Sequence, residues 1–301
     1  MKITIVGLGK MGSQIAERLV KAGHQVVAVD PDRVAVKAAE AFGAEGAESR
    51  TEAVQKFVGE PAVVWLMIPA QFVTEEVQAW LEVLPEGSLL IDGGNTDFRQ
   101  TKKHAEISAA RSVNFVDVGV SGGVLGLLNG FSMMAGGDEE SYRHITPVLD
   151  ALAQPNGGHD YFGPAGAGHY VKMVHNAIEY GMMEALAEGY QILKEGPYGQ
   201  LDLAKAGAVW QKASVIESTL NGLMAEVLIE NPNQAGVSGY VAESGEARWT
   251  LEIAKDTGIE LPVIKSALGV RIRSEAGDTN YATKLLASLR NKFGGHRINK
   301  A

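Results

Sequence analysis

The chain of 301 residues contains no cysteine. Disulfide bonds, catalytic thiolates, iron–sulfur clusters and cysteine-bound zinc are therefore excluded as sources of stability or chemistry. The seven histidines are scattered along the sequence, and their spacings do not place two of them together on a helix for metal coordination. We therefore expect no metal site.

Long apolar runs and an excess of positive charge are also missing. No apolar run approaches the roughly 18 residues that cross a bilayer, and the glycine-containing N-terminus lacks the pattern of a secretory signal peptide. The formal net charge is −9, whereas binding to nucleic acid depends on Lys and Arg side chains that neutralise phosphates. We expect a cytoplasmic protein with neither a membrane nor a nucleic-acid partner.

Short apolar runs alternate with amphipathic segments in the first half of the chain. Runs bounded by Gly, Pro, Asp or Asn predict buried strands, and the segments between them have helical periodicity. The predicted strands are 2–6, 25–29, 63–68, 88–91, 114–120 and one around Tyr161; the predicted helices are 11–21, 33–42 and 74–84. This βαβαβ order predicts a doubly wound parallel sheet of the Rossmann type.

Helical segments dominate after about Pro164. The predicted helices are 167–195, 203–228, 241–257 and 261–273. We therefore predict an α/β Rossmann domain over residues 1–165, followed by an all-α domain over residues 166–301.

A G-x-G-x-x-G motif follows the first predicted strand and opens the first helix, as in dinucleotide-binding folds. Its glycines permit a tight turn, a close approach of the backbone to a pyrophosphate, and packing of the helix on the strand. The predicted cofactor ligands in this motif are Gly7, Leu8, Gly9, Lys10, Met11 and Gly12. The others are Asp30 at the end of the second strand, Met67 and Ile68 at the end of the strand 63–68, and Asn95 after the strand 88–91.

The residue at the end of the second strand indicates which dinucleotide is bound. Asp30 stands 18 positions after Gly12, where a carboxylate accepts hydrogen bonds from the adenine ribose hydroxyls and repels a 2′-phosphate. This favours NAD. Arg33 lies close enough to hold a 2′-phosphate, so NADP stays open as the less favoured alternative.

Four polar residues share one face of the predicted helix 167–195. Lys172, His175, Asn176 and Glu179 stand at i, i+3, i+4 and i+7, which places an acid and a base on one rigid element. An ordinary solvated face is the alternative. A neighbouring apolar stripe is expected to anchor the helix in a core; it comprises Val171, Val174, Ile178 and Met182.

The C-terminal segment differs in charge from the rest of the chain. Residues 279–301 contain five Lys or Arg residues and no Asp or Glu, although the protein as a whole is acidic. This segment is either a solvated basic end or a patch that meets an anionic ligand.

Taken together, the motifs resemble those of the decarboxylating 6-phosphogluconate dehydrogenases, in the short form that lacks a duplicated helical region. The resemblance spans the whole chain. It rests on the glycine motif 7–12, Asp92-Gly93-Gly94-Asn95, Val120-Ser121-Gly122-Gly123, Gly168-His169-Tyr170-Val171-Lys172-Met173-Val174-His175-Asn176 continued by Glu179-Tyr180, and the tail 290–296.

The resemblance implies a role for each matched residue. Lys172 would be the general base and Glu179 the general acid. The implied ligands of the sugar hydroxyls and carboxylate are Asn95, Ser121, Gly122, Gly123, His175 and Asn176; those of the phosphate and adjacent oxygens are Tyr180, Arg271, Arg290 and His296.

The implied reaction is the oxidative decarboxylation of 6-phosphogluconate to ribulose 5-phosphate and CO2, with reduction of NAD, in the pentose phosphate pathway. The resemblance also implies that the domain 166–301 serves substrate binding and dimerisation, in a homodimer or homotetramer whose tail reaches the neighbouring subunit's site. One position departs from the longer enzymes: Ser244 replaces a Lys, and Arg248 is a candidate substitute for its phosphate contact. The alternatives are a β-hydroxyacid dehydrogenase acting on a small 3-hydroxy acid, a dehydrogenase acting on a related phosphosugar acid, and a dinucleotide-sensing protein without turnover.

Overall fold

An eight-stranded sheet organises the N-terminal part of the computed structural model, which describes residues 1–300. Its strand order is β3-β2-β1-β4-β5-β6-β7-β8, and every neighbouring pair is parallel except β6 and β7. The strands are β1 (Lys2–Val6), β2 (Gln25–Val29), β3 (Glu45–Gly46), β4 (Val63–Leu66), β5 (Leu89–Asp92), β6 (Asn114–Ser121), β7 (Ser132–Gly137) and β8 (Gly158–Tyr161). The predicted doubly wound α/β class is confirmed.

The central strands are apolar throughout because both faces of the sheet are covered. Trp65 and Ile91 are fully buried in the core on one face, while Val64, Leu66 and Leu90 are fully buried in the core on the other. The helices of this part are α1 (Lys10–Lys21), α2 (Arg33–Ala41), α3 (Arg50–Gln55), α4 (Ala70–Leu81), α5 (Phe98–Ala109), α6 (Gly126–Asn129) and α7 (Glu139–Ala153), with a 3-10 turn at Gly123–Leu125.

The rest of the described chain is helical, as predicted. The helices are α8 (Ala167–Glu195), α9 (Leu203–Trp210), α10 (Thr219–Glu230), α11 (Glu246–Thr257), α12 (Pro262–Glu275) and α13 (Tyr281–Gly294). The chain divides into two compact units, Met1–Lys172 and one that begins at Met173, so that α8 starts in the first unit and continues into the second. None of the helices in residues 1–300 has the length and apolarity of a membrane span.

Several elements differ from the sequence prediction, which did not include β3, α3, α5, α6 or α7 and began the helix over 241–257 five residues before Glu246. Strand β7 was not predicted, because its sequence SMMAGG has no β-branched residue and two glycines. The helix predicted over 203–228 is two helices: the chain turns between them, with Ala213 at a φ of 56°, and the Ser218 side chain caps α10. Residues 281–294, treated only as a basic segment, form α13.

The prediction of the apolar stripe that anchors α8 in a core was partly wrong. Ile178 and Met182 are 52% and 45% exposed, so they do not face the core of their unit. The buried side of α8 is rotated away from the predicted stripe. It comprises Met173, Ala177, Tyr180, Met183, Ala187 and Tyr190. The spacing of the apolar residues fits both faces, and only the packing of the other helices decides between them.

Candidate active site

The glycine loop between β1 and α1 has the shape of an anion cradle. Gly7 has a φ of +88°, and a Cβ atom on Gly12 would lie 1.9 Å from the carbonyl oxygen of Gly7, so both positions require glycine. A Cβ atom on Gly9 would meet nothing within 4 Å, which leaves that side of the loop open to a ligand. Helix α1 has no side-chain cap and no acidic residue in its first turn, as a phosphate-binding N-terminus requires.

Met67 and Ile68 line the same loop. A Cβ atom on Gly7 would lie 2.6 Å from the Met67 carbonyl oxygen and 2.7 Å from Ile68 Cγ2. The end of β4 therefore packs directly against the first glycine of the motif. Asn95 lies on the next turn along the sheet edge, three residues after β5, and is exposed.

Asp30 joins the glycine loop to the turn after β2. Its Oδ2 accepts a hydrogen bond of 2.6 Å from the Leu8 backbone N–H, and its Oδ1 accepts one of 2.7 Å from the Asp32 N–H. The carboxylate is thus held beside the cradle, where it can receive ribose hydroxyls. Arg33 forms an ion pair of 3.2 Å with Glu48, and both side chains are more than half exposed.

The first turns of α8 are held against β6. Both oxygens of the buried Asp117 carboxylate accept backbone N–H groups at this helix start, from Gly166 and His169, at 2.8 Å each. A Cβ atom on Gly119 would lie 2.3 Å from Lys172 Cβ, so only glycine permits this approach. Lys172 is consequently 8% exposed, and β6 continues from Gly119 to Ser121 and the turn of Gly122, whose φ is 139°.

In the second unit, α8 carries a row of polar side chains. His175 Nδ1 lies 3.0 Å from Asn176 Oδ1 and 3.9 Å from Glu179 Oε2. The Asn176 amide donates a 2.9 Å hydrogen bond to Glu246 Oε1, a buried carboxylate at the start of α11. Three of the four residues predicted to share a helical face are therefore in one network, and Glu246 is a member that the sequence did not reveal.

A buried guanidinium lies over Tyr180. Arg271 is 1% exposed, its Cζ is 3.2 Å from the centroid of the Tyr180 ring, and neither Nη1 nor Nη2 has a hydrogen-bond partner within residues 1–300. Burial, together with the charge of Arg290, lowers the pKa of Arg271 to about 10 despite the opposing influence of Tyr180 and Glu179. Two unsatisfied charged donors in a buried place are the signature of a site for an anion.

Arg290 belongs to the same cluster and lies on α13 of the same chain. Arg290 is buried, and burial lowers its pKa. Tyr180, Glu246 and Glu179 act in the opposite direction and raise this pKa, so these groups are its electrostatic neighbours. Helix α13 brings it there by burying Leu285, Leu286 and Leu289. These neighbours belong to the same chain as Arg290. The segment is thus not a wholly solvated end.

His296 lies outside this buried cluster. Its side chain is exposed, its ring centroid is 6.4 Å from that of Phe293, and its carbonyl oxygen accepts a hydrogen bond from Asn291. The tail beyond it pairs with the segment near Val237 through a bridge to Lys300.

Ser244 and Arg248 have other partners. The Ser244 hydroxyl lies 3.0 Å from the Tyr180 hydroxyl, and its backbone N–H donates to the same oxygen at 3.1 Å. Arg248 forms an ion pair of 2.6 Å with Glu243, which raises its pKa, and is half exposed. In this chain Ser244 therefore orients Tyr180, and Arg248 is engaged elsewhere.

Comparison with known proteins identifies the family. Residues 2–166 match the NAD binding domain of 6-phosphogluconate dehydrogenase, and residues 168–299 match the C-terminal domain of 6-phosphogluconate dehydrogenase. The chain belongs to the 6-phosphogluconate dehydrogenase family. It is therefore an oxidoreductase of that family with an NAD-binding Rossmann domain.

Individual relatives agree with this assignment. The chain is 38% identical over 300 residues to the NAD(+)-dependent, decarboxylating 6-phosphogluconate dehydrogenase of Haloferax volcanii, covering 99% of this chain and 98% of the relative. The solved 6-phosphogluconate dehydrogenase of Plasmodium falciparum has a TM-score of 0.80 at 25% identity, covering 96% of this chain and 70% of that chain. A 3-hydroxyisobutyrate dehydrogenase of Mycobacterium tuberculosis has the same fold, with a TM-score of 0.74 at 24% identity over 95% of this chain and 98% of that chain.

A metal centre has no counterpart in the geometry. Within residues 1–300, no group of three or more His, Asp or Glu side chains is arranged to hold a metal ion.

Proposed function

We propose that this chain oxidises and decarboxylates 6-phosphogluconate to ribulose 5-phosphate and CO2, with NAD as the electron acceptor. The observation that carries the proposal is the buried pair Arg271 and Arg290. Two buried guanidinium groups repel each other, and the Arg271 donors Nη1 and Nη2 have no hydrogen-bond partner within residues 1–300, so a multiply charged anion between or beside them would stabilise both. A phosphate monoester supplies that charge, whereas a small unphosphorylated hydroxy acid has only its carboxylate.

The residues of the chain divide the chemistry between a base and an acid. NAD, when bound, supplies the acceptor for the hydride from C3. Lys172, as the neutral amine, takes the proton of the C3 hydroxyl during oxidation and then holds that proton at the keto oxygen while the C1–C2 bond breaks and C1 leaves as CO2. Glu179 then protonates the former C2 of the enediol, which becomes C1 of ribulose 5-phosphate. The residues proposed to hold the sugar acid for these transfers are Asn95, Ser121, Gly122, Gly123, His175 and Asn176.

The general acid can be tested separately from the base. Because glutamine cannot donate a proton, Glu179→Gln is expected to lower kcat by about 100-fold to 10,000-fold, with an unchanged melting temperature. NADH should still form in the first turnover, since oxidation precedes the step that Glu179 serves. Stopped-flow absorbance resolves this burst. The exposed Glu188 on the same helix provides the matched control, Glu188→Gln, and near-normal turnover by the Glu179 variant contradicts the assignment.

Cofactor choice is proposed to depend on the carboxylate beside the glycine loop. Asp30→Ala removes two charge-assisted acceptors, so the ratio of kcat/KM for NAD to that for NADP is expected to fall by about 10-fold to 100-fold. Steady-state kinetics with both cofactors measure this ratio. If this ratio is unchanged in Asp30→Ala, and Arg33→Ala abolishes the activity with NADP, then Arg33 governs the choice of cofactor.

We also propose that the protein is a homodimer or homotetramer. Ile178, Met182 and Ile192 are 52%, 45% and 67% exposed along one side of α8, and an apolar surface of this kind supports contact with a second copy. Replacing Ile178 and Met182 by lysine is expected to shift the protein to a monomer in light scattering, whereas Val34→Lys in the first unit should not. A wild-type monomer at micromolar concentration would refute the proposal.

Absorbance at 340 nm tests the function itself. Purified protein with 6-phosphogluconate should reduce NAD to NADH promptly and reduce NADP to NADPH only weakly. Activity with 3-hydroxyisobutyrate but not with 6-phosphogluconate would instead support the β-hydroxyacid dehydrogenase alternative. NADH binding without turnover of any acid would support the sensor.

A further inference from the structure

Three buried titratable side chains lie on elements close to Asn95 and Lys172 in the sequence or between them. Asp92 is fully buried, and His104 and His169 are each 2% exposed. Asp92 ends β5 three residues before Asn95, and His169 precedes Lys172 by three residues on α8. His104 lies on α5, between these two segments in sequence. The proposed chemistry uses none of the three.

Each of the three residues is anchored through one atom. Asp92 Oδ1 accepts a 2.9 Å hydrogen bond from the Gly94 N–H, and His104 Nε2 lies 2.9 Å from the Thr74 hydroxyl. His169 Nδ1 lies 2.8 Å from the Thr101 hydroxyl. The two imidazole rings are thus fixed in orientation by helices α4 and α5.

The second atom of each residue is a buried polar atom that has no hydrogen-bond partner within residues 1–300: Asp92 Oδ2, His104 Nδ1 and His169 Nε2. Unpaired buried polar atoms are costly and rare, and three of them at one place call for a common explanation. His104 Nδ1 is 3.9 Å from Asp92 Oδ2, which is longer than a direct hydrogen bond and within the distance of an ion pair.

Electrostatics relates the same three residues. Burial alone raises the pKa of Asp92, but the positive charge that His169 can carry, the interaction with the His104 side chain and the hydrogen bond from the Gly94 N–H together hold that pKa below its ordinary value. An ionised carboxylate in a buried place is stable only beside such a partner. The three side chains are not arranged as metal ligands within the described chain.

We propose that Asp92, His104 and His169 form a buried network that fixes Lys172 relative to Asn95. The network joins the end of β5 to the first turns of α8, and the Asp117 carboxylate, which accepts the His169 N–H at 2.8 Å, holds the same helix start against β6. His169 is thus a positioning residue for Lys172, one helical turn away. The inference rests on the proposed function only for what Lys172 does.

Two variants of His169 separate positioning from simple packing. In glutamine the amide nitrogen stands about where Nε2 stands in histidine, so His169→Gln keeps a nitrogen at the position that we propose interacts with Asp92. In asparagine the amide stands about where Nδ1 stands, so His169→Asn keeps only the contact with Thr101. Both variants are measured for NADH binding, kcat, and the isotope effect on kcat/KM with 6-phosphogluconate deuterated at C3.

His169→Asn is expected to lower kcat by about 10-fold to 100-fold and to raise the isotope effect, because a displaced Lys172 makes the hydride step more rate-limiting. His169→Gln should retain most of the activity, and NADH should bind both variants normally. Equal losses in both variants with an unchanged isotope effect would mean that His169 only packs, and would overturn the proposal.

A stability measurement tests the network without relying on turnover. In urea unfolding, Asp92→Asn and His169→Asn together should cost less than the sum of their separate costs, because either change alone already breaks the pair. Additive costs would contradict the network. If the wild-type protein did not turn over 6-phosphogluconate, the proposed function would fail while this cycle still decided for or against the network.

Discussion

Substitution of Lys172 by methionine is expected to abolish NADH formation from 6-phosphogluconate, with a loss of at least about 1,000-fold in kcat. A positioned general base contributes roughly 100-fold to 10,000-fold, and Lys172 is proposed to act twice, as the base in oxidation and as the acid in decarboxylation. Methionine retains much of the aliphatic length that packs against Gly119, so the fold should be preserved. NADH formation at 340 nm measures the effect.

The control for this variant lies on the same helix. Lys194 hydrogen bonds to Asn233 and stacks over Tyr281, away from the proposed chemistry, and Lys194→Met should leave kcat unchanged. NADH fluorescence should show that Lys172→Met still binds the dinucleotide. Near-normal turnover by Lys172→Met would remove the base from the mechanism.

The second large effect is expected at Arg271. Arg271→Met should raise the KM for 6-phosphogluconate by roughly 30-fold to 4,000-fold, since removing one partner of a buried charge pair costs about 2–5 kcal/mol. Arg271→Lys should restore little, because an ammonium lacks the planar pair of donors that a phosphate accepts. The KM for NAD should be unchanged in both variants, which separates substrate binding from a general loss of structure.

The same substitution, Arg271→Met, should weaken substrate binding but raise the thermal stability of the free protein. In buffer without phosphate, the wild-type chain buries two guanidinium donors that have no partner within residues 1–300, so Arg271→Met is expected to melt at a higher temperature. Added inorganic phosphate should stabilise the wild type and not the variant, through binding to the native state alone. A wild type that does not respond to phosphate would argue against the anion site.

The fold was predictable because its strongest signals are local. The apolar strands β1, β4 and β5 and the glycine loop each occupy a short stretch of sequence. Strand β7 was not predictable in this way, since SMMAGG acquires its conformation from pairing with β6 and β8. The end of the chain shows a signal that could have been used: Asn280 and Thr283 form a capping box, and Leu285, Leu286 and Leu289 have helical spacing.

The candidate site was predictable only where its residues are close in sequence. The row Lys172, His175, Asn176 and Glu179 follows from helical periodicity alone. The stacking of Arg271 on Tyr180 joins residues on α12 and α8, and no local pattern encodes it. The buried role of Asp117 could have been predicted from the sequence, because a carboxylate within the apolar run of β6 must have a buried partner.

Release of labelled CO2 tests the central proposal most directly. With 6-phosphogluconate labelled with carbon-13 at C1, NAD and a metal chelator, the account predicts one labelled CO2 for each NADH formed. The ribulose 5-phosphate formed should carry no label. NADH without labelled CO2 would indicate a dehydrogenase that does not decarboxylate, and formation of neither would contradict the proposed function.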